Sequence, residues 1–164
     1  MSRLLLLFIF VSTLCLSQES NLIAFTLDDL NGQPTSLNNF LKNGPVYLSF
    51  WALWCEPCKS ELRALESLYE KYKDKGITIL TINVDTPKSS AKVKAYIASK
   101  KFCFPVLRDS DTKVFEKLNG KNLPYSLLIN SKGQIIKTRT RYLPGDKADI
   151  EKDLLDILST NNSN

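Results

Sequence analysis

The sequence predicts an α/β domain built around a mixed β-sheet. From residue 23 onward, apolar segments of strand length alternate with amphipathic segments of helical periodicity. Near the C-terminal end, two strand candidates are joined by a short turn at residues 130–133, and an amphipathic helix follows them. Alternating strands and helices followed by a hairpin and a helix are typical of this class. A chain of 164 residues is about the length of one domain and can bury a core without disulfides.

The first half of this domain contains two strands that should be buried. IAFTL (23–27) is a short strand candidate, and the turn-rich DDLNGQP leads to TSLNNFLKN, which begins with a capping residue and can form a short helix. PVYLSFW (45–51) and ITILTINVD (77–85) are nearly continuous apolar runs, as expected of strands covered on both faces. The segment between them predicts a helix that ends at Gly76 and buries Leu62, Leu65, Leu68, Tyr69 and Tyr72.

The second half continues the alternation. Residues 86–102 predict a helix with Val93, Tyr96 and Ile97 on one face, and CFPVLRD is a short strand that runs into a helix over DSDTKVFEKLNG. LPYSLLINSKGQIIKTRT predicts the hairpin. The last helix should bury four residues on one face: Ile150, Leu154, Leu155 and Leu158.

Residues 1–17 differ from the rest and predict a secretory signal peptide. Arg3 provides a positive charge, LLLLFIFVSTLCL provides an apolar stretch, and Ser17 is a small residue before the polar QESN. The apolar run is shorter than the ~18–20 residues of a membrane-spanning helix. An uncleaved segment that tethers the protein to the membrane is the alternative. The sequence therefore predicts export to the periplasm or cell envelope.

Charge and cysteine count exclude several classes of protein. The net charge is +5, but no Lys/Arg run is interleaved with aromatic residues, so a nucleic-acid partner is not indicated. Removal of the signal leaves Cys55, Cys58 and Cys103, an odd number that cannot form a multi-disulfide scaffold. A ring of four residues would also gain little from loop closure, which argues against a structural staple.

The local pattern around Cys55 and Cys58 favours redox chemistry. A buried strand ends near Trp54 and a helix begins just after Cys55, with Pro57 suited to its first turn. A helix N-terminus stabilises the Cys55 thiolate, which could attack a disulfide, and Cys58 lies one turn further on to resolve the intermediate. A metal site needs three or four donors, and the chain has no histidine, so neither a metal nor another cofactor is expected.

The segment FWALWCEPCKSEL closely resembles the active site of thioredoxin-fold proteins, in particular exported thiol-disulfide reductases of the TlpA type in the redoxin (AhpC/TSA) superfamily. The likeness covers about residues 22–158, including AFTLDDLNGQPTSLNNF, TINVD, FPVLRDSD and NLPYSLLINSKGQII. It implies a thioredoxin-like domain over residues 22–160, with a central mixed sheet flanked by helices and an N-terminal β-extension.

The resemblance also implies roles for individual residues. Leu123 and Pro124 match the family's cis-proline motif, which packs against the cysteine pair and presents backbone to a substrate. Together with Trp54, Glu56 and Pro57, they would form the substrate-binding surface. Glu61 matches an acidic residue six positions after the first cysteine, which could tune the cysteine pKa values or relay protons; a solvated helix residue is the alternative. Cys55 and Cys58 would form the redox-active disulfide.

Three positions depart from the family pattern. Ser49 stands where thioredoxins have a buried aspartate, which shifts any carboxylate role toward Glu61. Tyr125 follows the proline where threonine is common, and its bulk could reshape the substrate groove. Cys103 is outside the motif and, between aromatic neighbours, is expected to be a small buried residue.

The function that follows is an exported protein-disulfide reductase, with cytochrome c maturation as one setting. The expected partners are a protein disulfide bound through a transient mixed disulfide and a membrane thiol carrier as electron donor, and the protein should be a monomer. Glu56 opposes a thiolate beside it, which favours a reductant over an oxidant. The alternatives are a thiol peroxidase, for which Ala52 lacks the required hydroxyl, a copper-delivery protein, for which histidine is missing, and a binding module without redox activity.

Overall fold

A computed structural model describes residues 22–161 of the chain, so the predicted signal segment at residues 1–17 lies outside the described residues. The seven strands are β1 (Thr26–Asp29), β2 (Pro34–Ser36), β3 (Val46–Trp51), β4 (Thr78–Asn83), β5 (Val106–Arg108), β6 (Tyr125–Ile129) and β7 (Ile135–Arg139). The five helices are α1 (Leu37–Leu41), α2 (Glu56–Tyr72), α3 (Ser90–Lys100), α4 (Lys113–Lys117) and α5 (Asp146–Asn161), and a 3₁₀ turn covers Pro87–Ser89. Within residues 22–161, no helix is both long and apolar enough to cross a bilayer.

The strands form one mixed sheet in the order β2-β1-β5-β4-β3-β6-β7. Strands β3, β4 and β5 are parallel, and β6 runs antiparallel to β3 with Phe50 opposite Tyr125 and Val46 opposite Ile129. The carboxyl end of β3 therefore lies beside the start of β6, and both define one end of the sheet. The amino ends of β3 and β4 and the β6–β7 turn define the opposite end.

Apolar cores fill the space on both faces of the sheet. On one face, α2, α3 and α5 pack against alternate residues of the central strands, with Trp51 and Leu62 completely buried. On the other face, α1, α4 and the segment before β1 cover Leu48, Phe50 and Leu80. Central strands covered on both faces account for the unbroken apolar runs of β3 and β4. The predicted thioredoxin-like α/β fold is confirmed.

Two details of the prediction are wrong. The turn in DDLNGQP is present, but the prediction missed β2: Asp29 accepts hydrogen bonds from the backbone N–H groups of Asn31 and Gln33, and β2 pairs antiparallel with β1. In α5, Leu155 is half exposed, whereas Ile157, which the predicted face did not include, is buried. Three successive residues of a helix cover most of its circumference, so a short Leu-rich run does not fix which one faces the core.

Candidate active site

The junction between β3 and α2 brings the cysteine pair to one end of the sheet. Cys55 is the N-cap of α2 and Pro57 occupies the first turn, where its missing N–H leaves no hydrogen bond unmade. The Cys58 backbone N–H donates to Cys55 Sγ at 3.2 Å. This donor and the positive end of the helix dipole both favour negative charge on the Cys55 sulfur once the pair is reduced.

The two cysteines form a disulfide and differ in accessibility. Their Cα atoms are 5.3 Å apart, within the normal range for a disulfide. Cys55 retains 5% of its surface, whereas Cys58 retains none. Beside them, Trp54 is 72% exposed and presents a large apolar ring to solvent. Of the two cysteines, only Cys55 therefore keeps any surface through which a partner could approach.

Glu61 lies buried on α2, one turn beyond Cys58 and on the same face of the helix. Its Oε1 accepts hydrogen bonds from Tyr47 at 3.2 Å and Ser126 at 2.7 Å, and its Oε2 accepts one from Ser49 at 2.8 Å. These three hydroxyls come from β3 and β6, the two strands beneath the helix. Glu61 is not the solvated residue of the alternative interpretation, since only 1% of it is exposed.

Burial changes the acidity of this group and its neighbour. Loss of solvation raises the pKa of Glu61, although its three hydroxyl donors oppose that change. The pKa of Tyr47 is raised well above its ordinary value, first by burial and then by the negative charge of Glu61. A carboxyl group with a raised pKa, one helical turn from a buried cysteine, is suited to accept or return a proton.

The cis-proline segment reaches the same end of the sheet from the other side. The Leu123–Pro124 peptide bond is cis, Pro124 is buried, and β6 begins at the next residue. Leu123 is half-buried against the apolar cluster that contains both cysteines. The sequence-predicted residues Trp54 to Cys58 are thus brought together with Leu123 and Pro124 at one surface, above the buried Glu61.

Glu56 interacts less directly with the sulfurs than the sequence indicated. Its carboxylate is mostly exposed and pairs with Lys59 Nζ at 2.6 Å. The hydrogen bond and positive charge of Lys59 lower the pKa of Glu56, so the group remains ionised. Its charge is, however, partly compensated by Lys59, and solvent screens the remainder. The charge of Glu56 therefore disfavours a Cys55 thiolate less than the sequence indicated.

Sequence reasoning missed a second carboxylate that supports the site. Asp85, which follows β4 and is 6% exposed, accepts hydrogen bonds through Oδ2 from the Leu53 N–H and from Asn83 Nδ2, each at 2.8 Å. Asn83 Oδ1 in turn accepts from the Asp85 N–H at 3.2 Å. This arrangement fixes the turn that leads into Cys55. The only signal in the sequence was a polar pair at the end of an apolar strand.

Two departures from the family pattern have different consequences from those expected. Tyr125 does not extend into the substrate surface, because its ring packs against Phe50 and Phe115 and its hydroxyl donates to the Leu118 carbonyl at 2.6 Å. Cys103 is exposed rather than buried. Its N–H donates to the carboxylate of Glu66 on α2, and the turn after α3 holds its side chain at the surface.

Comparison with known proteins places this site among thiol-disulfide oxidoreductases. Residues 19–138 match the model of the AhpC/TSA family. The thiol-disulfide oxidoreductase ResA of Bacillus subtilis is 34% identical over 132 residues, which cover 80% of this chain and 72% of ResA.

Solved structures agree with that assignment. A Chlorobium tepidum protein described as a thiol:disulfide interchange protein DsbE superimposes with a TM-score of 0.76 at 27% identity, covering 83% of this chain and 94% of its own. StoA of Bacillus subtilis gives a TM-score of 0.65 at 26% identity, covering 81% and 97%. With its Cys55–Cys58 disulfide and buried Glu61, the chain belongs to the AhpC/TSA family and is a thiol-disulfide oxidoreductase of the TlpA-like group.

Proposed function

We propose that this oxidoreductase acts outside the cytoplasm as a reductase of protein disulfides. The observation that carries the proposal is the contrast between the two cysteines, because a reachable Cys55 and a buried Cys58 divide the reaction into attack and resolution. The exposed ring of Trp54 and the cis-proline segment would hold an extended piece of the partner beside Cys55. Glu56 and Pro57 would border the same surface.

The reaction balances as a dithiol–disulfide exchange. The Cys55 thiolate attacks one sulfur of the partner's disulfide, a mixed disulfide forms, and the partner's other sulfur leaves as a thiolate. Cys58 then loses its proton and attacks Cys55, which releases the partner's second sulfur and closes the Cys55–Cys58 disulfide. Two electrons pass to the partner, and two protons accompany them. In the second step Glu61, one helical turn beyond Cys58, would take the Cys58 proton.

The reduced pair must then be restored by an electron donor. A membrane thiol carrier is the class of donor that fits an exported reductase, because the oxidising compartment outside the cytoplasm offers no general reductant. Thiols of an apocytochrome c are one class of product, which would connect the enzyme with cytochrome c maturation. The enzyme would work as a monomer, tethered by its N-terminal segment or released from it.

The proposed direction of electron flow rests on how little the site adds to the helix N-terminus in stabilising a thiolate. Strong oxidants of this chemistry keep a very acidic cysteine, whereas no histidine is available here to supply positive charge. Cys58 is buried among apolar residues, one helical turn from Glu61. We expect a reduction potential nearer to the roughly −270 mV of thioredoxin than to the roughly −120 mV of a strong oxidant. Equilibration with glutathione that gave a value above about −180 mV would contradict a reductase.

Trapping the partner tests the proposal directly. Cys58→Ser should leave the mixed disulfide unresolved, so non-reducing gels of cells that express this variant should show covalent adducts through Cys55. Cys55→Ser is the matched control, because Cys58 is buried and should capture nothing. Equal adducts with both variants, or none with either, would contradict the assignment of attacking and resolving roles.

A peroxide assay separates this proposal from thiol peroxidase activity. Ala52, three residues before Cys55, is fully buried and provides no hydroxyl for a bound peroxide. The reduced protein should therefore reduce the disulfides of insulin and consume hydrogen peroxide no faster than Cys55→Ser does. Peroxide turnover that depended on Cys55 would instead support the peroxidase.

A further inference from the structure

Three lysines lie at the end of the molecule opposite the cysteine pair. Lys42 precedes β3, Lys75 precedes β4, and Lys132 lies in the β6–β7 turn. All three are exposed, and we call this surface the lysine pole. The six residues of β3 separate it from the Cys55 end of the sheet by about 20 Å, given a rise of roughly 3.3 Å per residue.

The lysine pole surrounds a shallow groove that contains no carboxylate. The groove has a volume of about 690 Å³, and its polar side chains are those of Asn43, Ser131 and the three lysines. Its remaining lining is glycine, proline and leucine. A concave surface with three ammonium groups and two neutral polar groups is suited to bind anions.

The charges of the lysine pole are not neutralised within the described part of the chain. Neighbouring lysines are paired, since Lys71 contacts Glu151 and Lys73 contacts Glu70. Lys42, Lys75 and Lys132 form no salt bridge with any residue among 22–161; Lys75 lies over the ring of Tyr72.

Acidic residues near the pole do not cancel this charge. Asp153 pairs with Lys137 and Arg139, and Asp156 pairs with Lys152. Asp74 is an exposed carboxylate in the turn that also carries Lys75. Lys42 and Lys132 lie on other turns, so the pole retains a positive excess available to an external partner.

The chain also enters the described structure at this pole. The Ile23 N–H donates to the carbonyl of Gly133 at 3.0 Å, which places Leu22 beside the β6–β7 turn. Leu22 is 56% exposed and lines a second groove together with Lys42 and Lys132. The chain that leads from the predicted signal or tether therefore joins the described structure at Leu22, beside Lys42 and Lys132.

We propose that the lysine pole rests on the phosphate groups of an anionic lipid surface. The proposal depends on the location outside the cytoplasm proposed above, and it adds an orientation to that function. An apolar segment followed by a basic surface is the combination that holds peripheral proteins on anionic membranes. In this orientation the Cys55–Cys58 pair faces away from the lipid, so it would meet soluble partners or protruding domains of membrane proteins.

Chemical labelling of lysines on the full chain tests the orientation. The protein is incubated with vesicles of phosphatidylcholine alone or with added phosphatidylglycerol, then briefly acetylated and analysed by mass spectrometry. With phosphatidylglycerol, acetylation of Lys42, Lys75 and Lys132 should slow several-fold. Lys88, Lys92 and Lys121 serve as internal controls; they lie near the Cys55 end, form no salt bridge within residues 22–161, and should react at an unchanged rate.

A charge-reversal pair gives the second readout. Each basic residue near an anionic surface contributes about fivefold in partitioning, so K42E/K75E/K132E should lose on the order of a hundredfold of its phosphatidylglycerol-dependent binding. K88E/K92E/K121E carries the same net charge as the first variant and should retain most of the phosphatidylglycerol-dependent binding. A third arm adds inorganic phosphate without vesicles, and it should leave the labelling of the lysine pole unchanged.

Each result bears on the proposal. Protection by inorganic phosphate alone, protection of the control lysines, equal loss in the two triple variants, or no dependence on phosphatidylglycerol would overturn it. Insulin reduction by both variants in solution is measured in parallel. If the unmodified protein does not reduce insulin, the proposed reductase function is rejected. Labelling on vesicles reports only on the lipid contact.

Discussion

Glu61 is a buried carboxyl group whose pKa is raised by its environment. Burial raises its pKa, so the folded protein holds the proton at a higher pH than the unfolded chain does. The stability that comes from the neutral carboxyl is fully present below its ordinary value of 4.5 and is lost as pH rises through the raised pKa. The same pH range is where Glu61 would change from donating to accepting a proton.

Replacement of Glu61 by glutamine should separate stability from activity. Because Glu61→Gln has no charge to bury, its melting temperature should not show the decline that wild type shows as pH rises above 4.5. Insulin reduction should slow by about a hundredfold or more, since the variant cannot transfer a proton. Glu70→Gln, an exposed change on the same helix, is the control for both measurements. An unchanged pH profile of activity in Glu61→Gln would exclude a proton-transfer role.

Asp85 should act on the reaction by positioning Cys55. Asp85→Ala leaves the Leu53 N–H and the Asn83 amide without their partner, and unsatisfied buried donors of this kind cost roughly 2–4 kcal/mol together. The free energy of unfolding should fall by that amount. In the reduced protein, the pH dependence of the rate of Cys55 alkylation should also change.

The conservative variant distinguishes positioning from stability alone. Asp85→Asn keeps one oxygen that can accept from the Leu53 N–H, so it should restore the pH dependence of alkylation even if part of the stability is lost. Asp74→Ala, an exposed change, should leave both properties near wild type. Alkylation that followed stability alone in all three variants would contradict positioning.

At this scale the sequence predicted residues better than it predicted their contacts. Local pattern and family resemblance selected the cysteines, Pro124 and Glu61 as candidate site residues. The partners of Glu61 were not predicted, because Ser49 and Ser126 are 12 and 65 residues away and nothing in either strand marks a hydroxyl as a donor. Cys103 was wrongly predicted to be buried, because its aromatic neighbours in the sequence do not show whether a turn directs its side chain toward the core or toward solvent.

Among the elements, α5 shows what periodicity can and cannot determine. Leu154 and Leu155 are adjacent, and the predicted apolar face included both. In the structure Leu154 is completely buried against the core, whereas Leu155 is 50% exposed. The helix was predicted correctly, but its rotation about its own axis depends on packing against α2 and the sheet, which no local window contains.

The two leucines form a matched pair for measurement. Leu154→Ala removes a fully buried side chain and should lower the free energy of unfolding by about 2–5 kcal/mol. Leu155→Ala removes a half-exposed one and should change it by only about 0.5 kcal/mol. Chemical denaturation of both variants in the oxidised state measures the difference. Equal destabilisation would mean that α5 packs in a different rotation.

For the whole molecule, alternation of strands and helices was enough to predict a mixed α/β sheet, and the resemblance supplied its thioredoxin-like order. The β1–β2 hairpin was missed because its strands have only four and three residues, too few to show a period of two. The cis bond at Pro124 came from resemblance, since an X–Pro sequence alone favours the trans form. Long-range strand pairing thus brings together site residues that local sequence patterns had indicated only as separate segments.

The oxidation state of the site should alter the stability of the entire domain. By linkage, the folded protein is more stable when oxidised if its cysteine pair has a lower reduction potential than the same pair in the unfolded chain. The gain in stability is about 1.4 kcal/mol for each 30 mV between the two potentials. Cys58 is fully buried one helical turn from Glu61, an environment that offers little stabilisation to a Cys58 thiolate, and the proposed reductase requires this. Oxidised protein should therefore melt at a higher temperature than protein kept in dithiothreitol. The Cys55→Ser/Cys58→Ser double variant should melt identically in both conditions, and a higher melting temperature for the reduced wild type would indicate an oxidant instead.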